Sequence, residues 1–207
     1  MTRNLNPSLA TQLNNLYAQD NPQSLASLKK QYTACIQCPL ATQGRTQVVF
    51  GAGPENAQLF FIGEAPGKDE DNQGTPFIGR SGRLLRTILA EIGCDPAHVY
   101  ISNTTKCRPP FNRPPTPKER NTCSSLILLK EIAYIKPRAI CTLGATATTL
   151  FFPPSPPISQ LRGQITQTEY FAIMPTYHPS YLLRNRQAIN IVKNDIMQLK
   201  AFLAANS

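Results

Sequence analysis

The chain reads as an α/β protein, a three-layer sandwich with a central four-stranded parallel sheet flanked by helices. Three observations predict it. Four short apolar runs, Leu59 to Ile62, Val99 to Ser102, Ala139 to Leu143 and Tyr170 to Met174, have the pattern of strands buried on both faces. Stretches with apolar residues at helical spacing separate these runs, and strands alternating with helices form a parallel sheet covered on both sides. With 207 residues and 41% hydrophobic composition, the chain can bury one substantial core.

Residues 1–30 read as a weakly amphipathic helical extension with Leu13, Leu16, Leu25 and Leu28 as its apolar points, and residues 31–207 as a single domain. Leu84, Leu85, Ile88, Leu89 and Ile92 repeat at helical spacing, and Gly93 follows as a C-terminal cap. The next helix begins with Thr116 as N-cap, Pro117 at the first helical position and Glu119 closing a capping box. It should run toward Ile135 and stop before Pro137. A short helix over Ala145 to Leu150 and a last one from about Arg186 to Phe202 complete the pattern. Proline concentrates at Pro109 to Pro117 and Pro153 to Pro157, which read as stiff loops.

Lysine and arginine outnumber acidic residues, for a formal net charge of +9. That excess favours a polyanionic partner, because each phosphate neutralised releases counterions. No run approaches the roughly 20 apolar residues that span a bilayer, and Met1 to Gln31 does not resemble a signal peptide. The expectation is a cytoplasmic protein in a reducing compartment, where clustered cysteines serve as metal ligands more often than as disulfides. A monomer is expected.

In a parallel sheet the active site lies off the carboxyl ends of the strands. Those ends carry Gly63-Glu64-Ala65-Pro66-Gly67, Ser102-Asn103-Thr104 and Thr176-Tyr177-His178-Pro179-Ser180. Two familiar phosphate-binding readings fail on spacing. Gly51-Ala52-Gly53 lacks a third glycine, with Asn56 in its place, and Gly63 to Lys68 is one residue short and continues with Asp69. His178 stands beside a proline at a strand end, with Asn103 and Glu64 on neighbouring ends, whereas His98 precedes a strand and reads as structural. Phe77 sits in a glycine-rich loop, either as a base-stacking ring or as a hydrophobic plug. Arg80, Arg83, Arg86, Arg184 and Arg186 offer phosphate contacts or a solvated face, and Lys68 and Lys106 read as phosphate contacts.

Cys35-Ile-Gln-Cys38-Pro39 is followed far downstream by Cys107 and Cys123 in a C-x15-C pair. This spacing suits a four-cysteine zinc site or an iron–sulfur cluster, and proline directly after a ligand is also found in bacterial ferredoxin runs. Cys94 and Cys141 lie in apolar settings and read as packing residues.

Together these segments resemble the family 4 uracil-DNA glycosylases, the iron–sulfur branch of the uracil-DNA glycosylase superfamily. The resemblance runs from about Cys35 to the C-terminus. It rests on Gly63 to Gly67, on Glu70-Asp71 followed by Gly74-Thr75-Pro76-Phe77-Ile78-Gly79-Arg80-Ser81-Gly82, on Tyr100 to Asn103 ahead of Lys106-Cys107-Arg108-Pro109, and on His178-Pro179-Ser180. It implies a 4Fe-4S cluster on Cys35, Cys38, Cys107 and Cys123, structural in role. The implied reaction is hydrolysis of the N-glycosidic bond of deoxyuridine in single- or double-stranded DNA, releasing uracil and leaving an abasic site.

The implied site places Asn103 on the uracil edge, Phe77 on its face, His178 at O2, and Glu64 with the turn backbone of Gly63 and Ala65 around the attacking water. Glu70 would guard the space beside C5. Arg80, Ser81 and Arg184 would contact DNA, and Tyr181 or Leu182 would wedge into the stack where the base has left. Better-known superfamily members carry an aspartate where Ala65 stands, and family 4 shares the alanine. Relatives that trap the sugar covalently carry a histidine-bearing insertion, and residues 68–76 contain no histidine, so turnover is expected. The alternative from another class is a non-catalytic iron–sulfur or zinc protein that binds nucleic acid.

Overall fold

The structure, a computed structural model, describes residues 4–18, 24–154 and 156–206. Residues 1–3 and 19–23 of the expected N-terminal extension, and Ser155 of the second proline-rich stretch, lie outside the described residues. Helices α1 (Pro7–Tyr17) and α2 (Leu25–Tyr32) come first, each N-capped by a side chain, from Asn6 and Ser24. Strand β1 (Leu59–Gly63) leads through α3 (Lys68–Gln73) and α4 (Arg80–Glu91) to β2 (Val99–Asn103). Then follow α5 (Pro117–Cys123), a π-helical turn over Ser124–Leu128, and α6 (Leu129–Ile135). Strand β3 (Ala139–Leu143), α7 (Ala145–Phe151), α8 (Ile158–Leu161), β4 (Thr166–Gln167) and β5 (Ala172–Thr176) complete the sheet. Helices α9 (Pro179–Leu182) and α10 (Ile189–Ala205) end the chain.

The sheet has five strands in the order β2-β1-β3-β5-β4. The four expected strands are present and parallel, and β4 is an addition: two residues pairing antiparallel with Ile173 and Ala172 at the edge. Two residues carry no periodicity, which is why the sequence gives no sign of it. The same hairpin moves the start of the last strand from Tyr170 to Ala172. Thr168 Oγ1 accepts the backbone N–H groups of Tyr170 and Phe171, folding those residues into the turn instead of the ladder.

Alternate strand residues feed two cores. Phe60, Ile62, Tyr100, Ile140 and Ile173 face α1, α2, α6 and α7, while Leu59, Phe61, Ile101, Cys141 and Met174 face α4 and α10. Leu9, Leu13, Leu25 and Leu28 are all buried in the first of these, so the N-terminal helices complete one layer of the sandwich. Leu85, Ile88 and Leu89 fill the second from α4, which ends as its sequence predicts, on Gly93 with φ of 64°. The capping box at Thr116 and Glu119 forms, but the long helix expected to follow it is divided by the π turn. No described helix is long and apolar enough to cross a membrane.

The chain passes from β1 to β2 on one side and from β3 toward β5 on the other, so a crevice opens off the carboxyl ends of β1 and β3. The backbone continues the β1–β2 pairing past the strand ends. Thr104 N–H donates to Gly63 O at 2.9 Å, Thr105 N–H to Glu64 O at 3.2 Å, and Thr104 Oγ1 to the same oxygen at 2.6 Å. On β5, Thr176 Oγ1 donates to the fully buried Asp195 of α10, which also accepts from Arg162. These ties set the heights at which Glu64, Asn103 and His178 leave the sheet.

Candidate active site

A cavity of about 250 Å³ occupies this crevice, lined from the first turn by Glu64, Ala65, Pro66 and Gly67, then by Glu70, Phe77, Ser81, Asn103 and His178. Side chains that the sequence scatters over more than a hundred positions are thus brought to one wall. Pro109, Asn112, Arg113 and Ser180 complete the lining.

Asn103 is buried at the last position of β2, and its Oδ1 has no hydrogen-bond partner. An unpaired buried acceptor costs about 1–3 kcal/mol, and a donor entering the cavity would remove that cost. Gly63 lies beside it in register on β1. A Cβ there would collide with the ring of Phe77 and with Asn103 Oδ1, so only glycine lets both approach the strand. Phe77 is buried with φ of 56°, a backbone region that bulky residues seldom adopt. It is pressed there from below, because a Cβ on Gly82 in the first turn of α4 would strike the Phe77 backbone. Its ring lies 6.1 Å from that of His178, at an interplanar angle of 40°.

His178 caps α9. Its Nδ1 accepts the backbone N–H of Ser180 at 3.1 Å and lies 2.8 Å from Ser180 Oγ. An Nδ1 that accepts from an amide carries no proton, so the neutral ring holds its hydrogen on Nε2. Burial favours that neutral form and lowers the pKa to about 4. At neutral pH His178 is therefore an uncharged donor.

The two glutamates of the site are held differently. Glu64 Oε2 accepts from Thr146 Oγ1 at 2.5 Å, and its charge acts on the nearby Arg120 guanidinium, whose Nη1 donates to Thr146 O. Glu70 uses one oxygen for Gly67 N–H at 3.1 Å and the other for Gly79 N–H at 2.9 Å. It staples the first turn to the loop that carries Phe77.

The remaining residues singled out in the sequence divide. Ser81 lines the cavity, and Arg80 is exposed beside it at the start of α4. Tyr181 is partly exposed and packs against Tyr177 with ring centroids 4.9 Å apart and planes tilted by 39°, and Arg184 is exposed in the same segment. Leu182, the alternative wedge, is fully buried in the core around α4 and α10 and is a packing residue. Lys106 corrects a second expectation. It is fully buried and reaches no surface phosphate, and its Nζ donates to Glu131 Oε2 at 2.7 Å, to Asn103 O at 2.9 Å and to Ser102 Oγ. Arg83 and Arg86 stay at the surface and donate to the backbone carbonyls of Ile78 and Phe77.

Cys35, Cys38, Cys107 and Cys123 are free thiols that lie near one another: Cys35 raises the pKa of Cys38, Cys38 and Cys35 that of Cys107, and Cys107 and Cys38 that of Cys123. Burial is the larger cause, and Cys123 is pushed up to about 12. Donors already point at two of the sulfurs: Arg45 Nη1 reaches Cys107 Sγ at 2.8 Å and Lys106 N–H reaches Cys123 Sγ at 3.2 Å. Arg45 Nη2 also donates to Cys35 O at 2.6 Å. Among the described residues, no three His, Cys, Asp or Glu side chains are gathered tightly enough to hold a single metal ion. Cys94 and Cys141 are buried in the α4–α10 core, as expected.

Thr146, Arg120 and the Lys106–Glu131 pair gave no sequence signal, because their partners come from distant segments. The Arg113–Glu119 pair was within reach, since Glu119 already stood out as a capping residue six positions away.

A model of the uracil DNA glycosylase superfamily matches residues 50–204. A Type-4 uracil-DNA glycosylase of Thermotoga maritima is 44% identical over 173 residues, covering 82% of this chain and 89% of that protein. Proteins of the same description from Archaeoglobus fulgidus and Sulfurisphaera tokodaii are 36% and 37% identical, each over 86% of this chain and over 92% and 84% of their own lengths.

Proposed function

The chain belongs to the uracil-DNA glycosylase superfamily and is a uracil-DNA glycosylase of DNA repair, and from that premise we propose how its residues divide the work. The observation that carries the proposal is the orphaned Asn103 Oδ1 in a cavity shared with a neutral His178. A base inside a duplex is out of reach, so the uridine nucleotide is flipped into this cavity. Asn103 Oδ1 accepts from uracil N3–H and its amide nitrogen donates to O4. Cytosine reverses both polarities, leaving buried groups unpaired at about 1–3 kcal/mol each. Phe77 lies against the ring face. Glu70, fixed by two backbone amides, holds the wall beside C5 closed to a methyl group.

As the glycosidic bond breaks, electrons move from the C1′–N1 bond into the base and negative charge gathers on O2. The Nε2–H of His178 donates there, a contribution of roughly 3–4 kcal/mol for a donor in a dry site. Water adds to C1′, oriented by the Glu64 carboxylate, which Thr146 holds from behind, and the proton that the water loses ends on the departing uracil. The products are free uracil and an abasic site, without a covalent intermediate.

We assign Cys35, Cys38, Cys107 and Cys123 as ligands of a 4Fe-4S cluster. Four free thiols and two donors aimed at their sulfurs fit such a group. When bound it supplies a structural cross-link. The decisive test is release of uracil from labelled single- and double-stranded oligonucleotides. Alkali-labile cleavage should appear only at uracil and fall at least a hundredfold in Asn103→Ala, while DNA affinity changes little. Equal cleavage by Asn103→Ala would remove that residue from base recognition.

A further inference from the structure

Phe111 is 98% exposed, the most exposed large apolar side chain among the described residues. A phenyl ring left in water forgoes about 1.5–3 kcal/mol of burial, yet the loop that displays it is firmly built. Pro109 and Pro110 precede the ring, and Pro114 and Pro115 follow after two intervening residues. Asn112 N–H donates to Pro109 O, Arg113 N–H to Pro110 O, and Arg108 Nε to Asn112 Oδ1 at 2.7 Å. Arg113 grips Glu119 through both terminal nitrogens, at 2.9 and 2.8 Å. Phe111 and Asn112 both take positive φ, 54° and 55°, so the turn holds the ring outward against the preference of its own backbone.

The place of this ring matters as much as its exposure. Pro109, Asn112 and Arg113, on both sides of it in the chain, line the cavity that receives the base. On another stretch of the lining, Ser180 precedes the half-exposed Tyr181, so two aromatic residues rise from segments that wall the same pocket. Flipping one nucleotide leaves its neighbours with a free face, and every nucleobase presents a π surface on which an aromatic ring can stack. Arg108 supplies positive charge in the same loop for an adjoining phosphate, while Arg113 is held by Glu119.

We propose that Phe111 is a second stacking contact of the enzyme, taking the face of an unpaired base next to the extrahelical nucleotide. The ligand class is a nucleobase of single-stranded or locally opened DNA, read without regard to sequence. This rests on the glycosylase reading above.

The test uses oligonucleotides carrying a non-cleavable abasic analogue, with 2-aminopurine placed on either side of it, and compares wild type with Phe111→Ala and Phe111→Trp. Phe111→Ala should bind single-stranded DNA about five- to a hundredfold more weakly, the range of one lost base–aromatic stack. It should also lose the change in 2-aminopurine emission at one flanking position. Phe111→Trp should restore both. Wild-type affinity in Phe111→Ala, or weaker binding with an unaltered 2-aminopurine signal, overturns the proposal. If wild type released no uracil, the glycosylase reading would fall while these binding results still decided the stack.

Discussion

At the scale of single residues, His178 shows how burial sets chemistry. Its Nδ1 is committed to Ser180, so a second proton would have to displace an amide donor as well as enter a desolvated site. An unfolded histidine takes up its proton near pH 6.5, whereas folded His178 resists until about 4. Between those values the unfolded chain binds more protons, so stability is complete above the unfolded pKa and falls as pH drops toward 4. Melting temperatures at pH 7.5 and 5 should therefore fall further in wild type than in His178→Gln, which has no such group. An identical drop in both would show that His178 is not held neutral. Catalysis should meanwhile stay flat from pH 8 to 5, since the donor form persists throughout. Gly63 belongs to the same scale: its missing side chain is what lets Phe77 and Asn103 share one end of the sheet, and that close approach leaves no trace in a sequence beyond the glycine itself.

Among the elements, the segment from β2 through α6 joins Asn103 to two of the cysteines. Lys106 sits between Asn103 and Cys107 and turns its charge inward. Glu131 on α6 meets it and also accepts Gly51 N–H at 2.9 Å and Ser102 Oγ at 2.8 Å. The π turn after Cys123 shifts the helix register within this stretch, and Ser124 Oγ donates to Thr104 O at 3.0 Å. Lys106→Met would strand the Glu131 carboxylate in the core, and breaking one side of a buried pair costs about 3–5 kcal/mol. The double variant Lys106→Met with Glu131→Leu removes both charges and should recover part of that loss in chemical denaturation. A single variant as stable as wild type would mean that the carboxylate finds water. The sequence pattern of α5 showed its cap clearly because capping is local, four residues long. The charge pair was hidden because its members are 25 positions apart and a buried lysine looks like a solvated one.

For the molecule as a whole, the parallel sheet and its site-bearing ends were legible because uninterrupted apolar runs and glycine-rich turns are short-range signals. Leu182 and Lys106 were misread for a common reason: neither burial nor the direction of a side chain follows from residue type. Three separated segments supply the four cysteines: the loop after α2, the loop after β2, and the end of α5. Cross-linking them would close long loops of the unfolded chain, and such closure stabilises by a few kcal/mol beyond the ligand bonds themselves. The link would also hold the loop of Pro109 and Arg113, and so one wall of the cavity, against the layer built by the N-terminal helices. Cys107→Ala should accordingly lose visible absorbance, melt well below wild type and bind uracil-containing DNA more weakly, although no cysteine lines the cavity. Cys94→Ala, which removes a buried thiol from the opposite core, controls for packing alone and should keep its colour and DNA affinity with only a modest loss of stability. A colourless Cys107→Ala that melts with wild type would show that the fold closes without the proposed cluster.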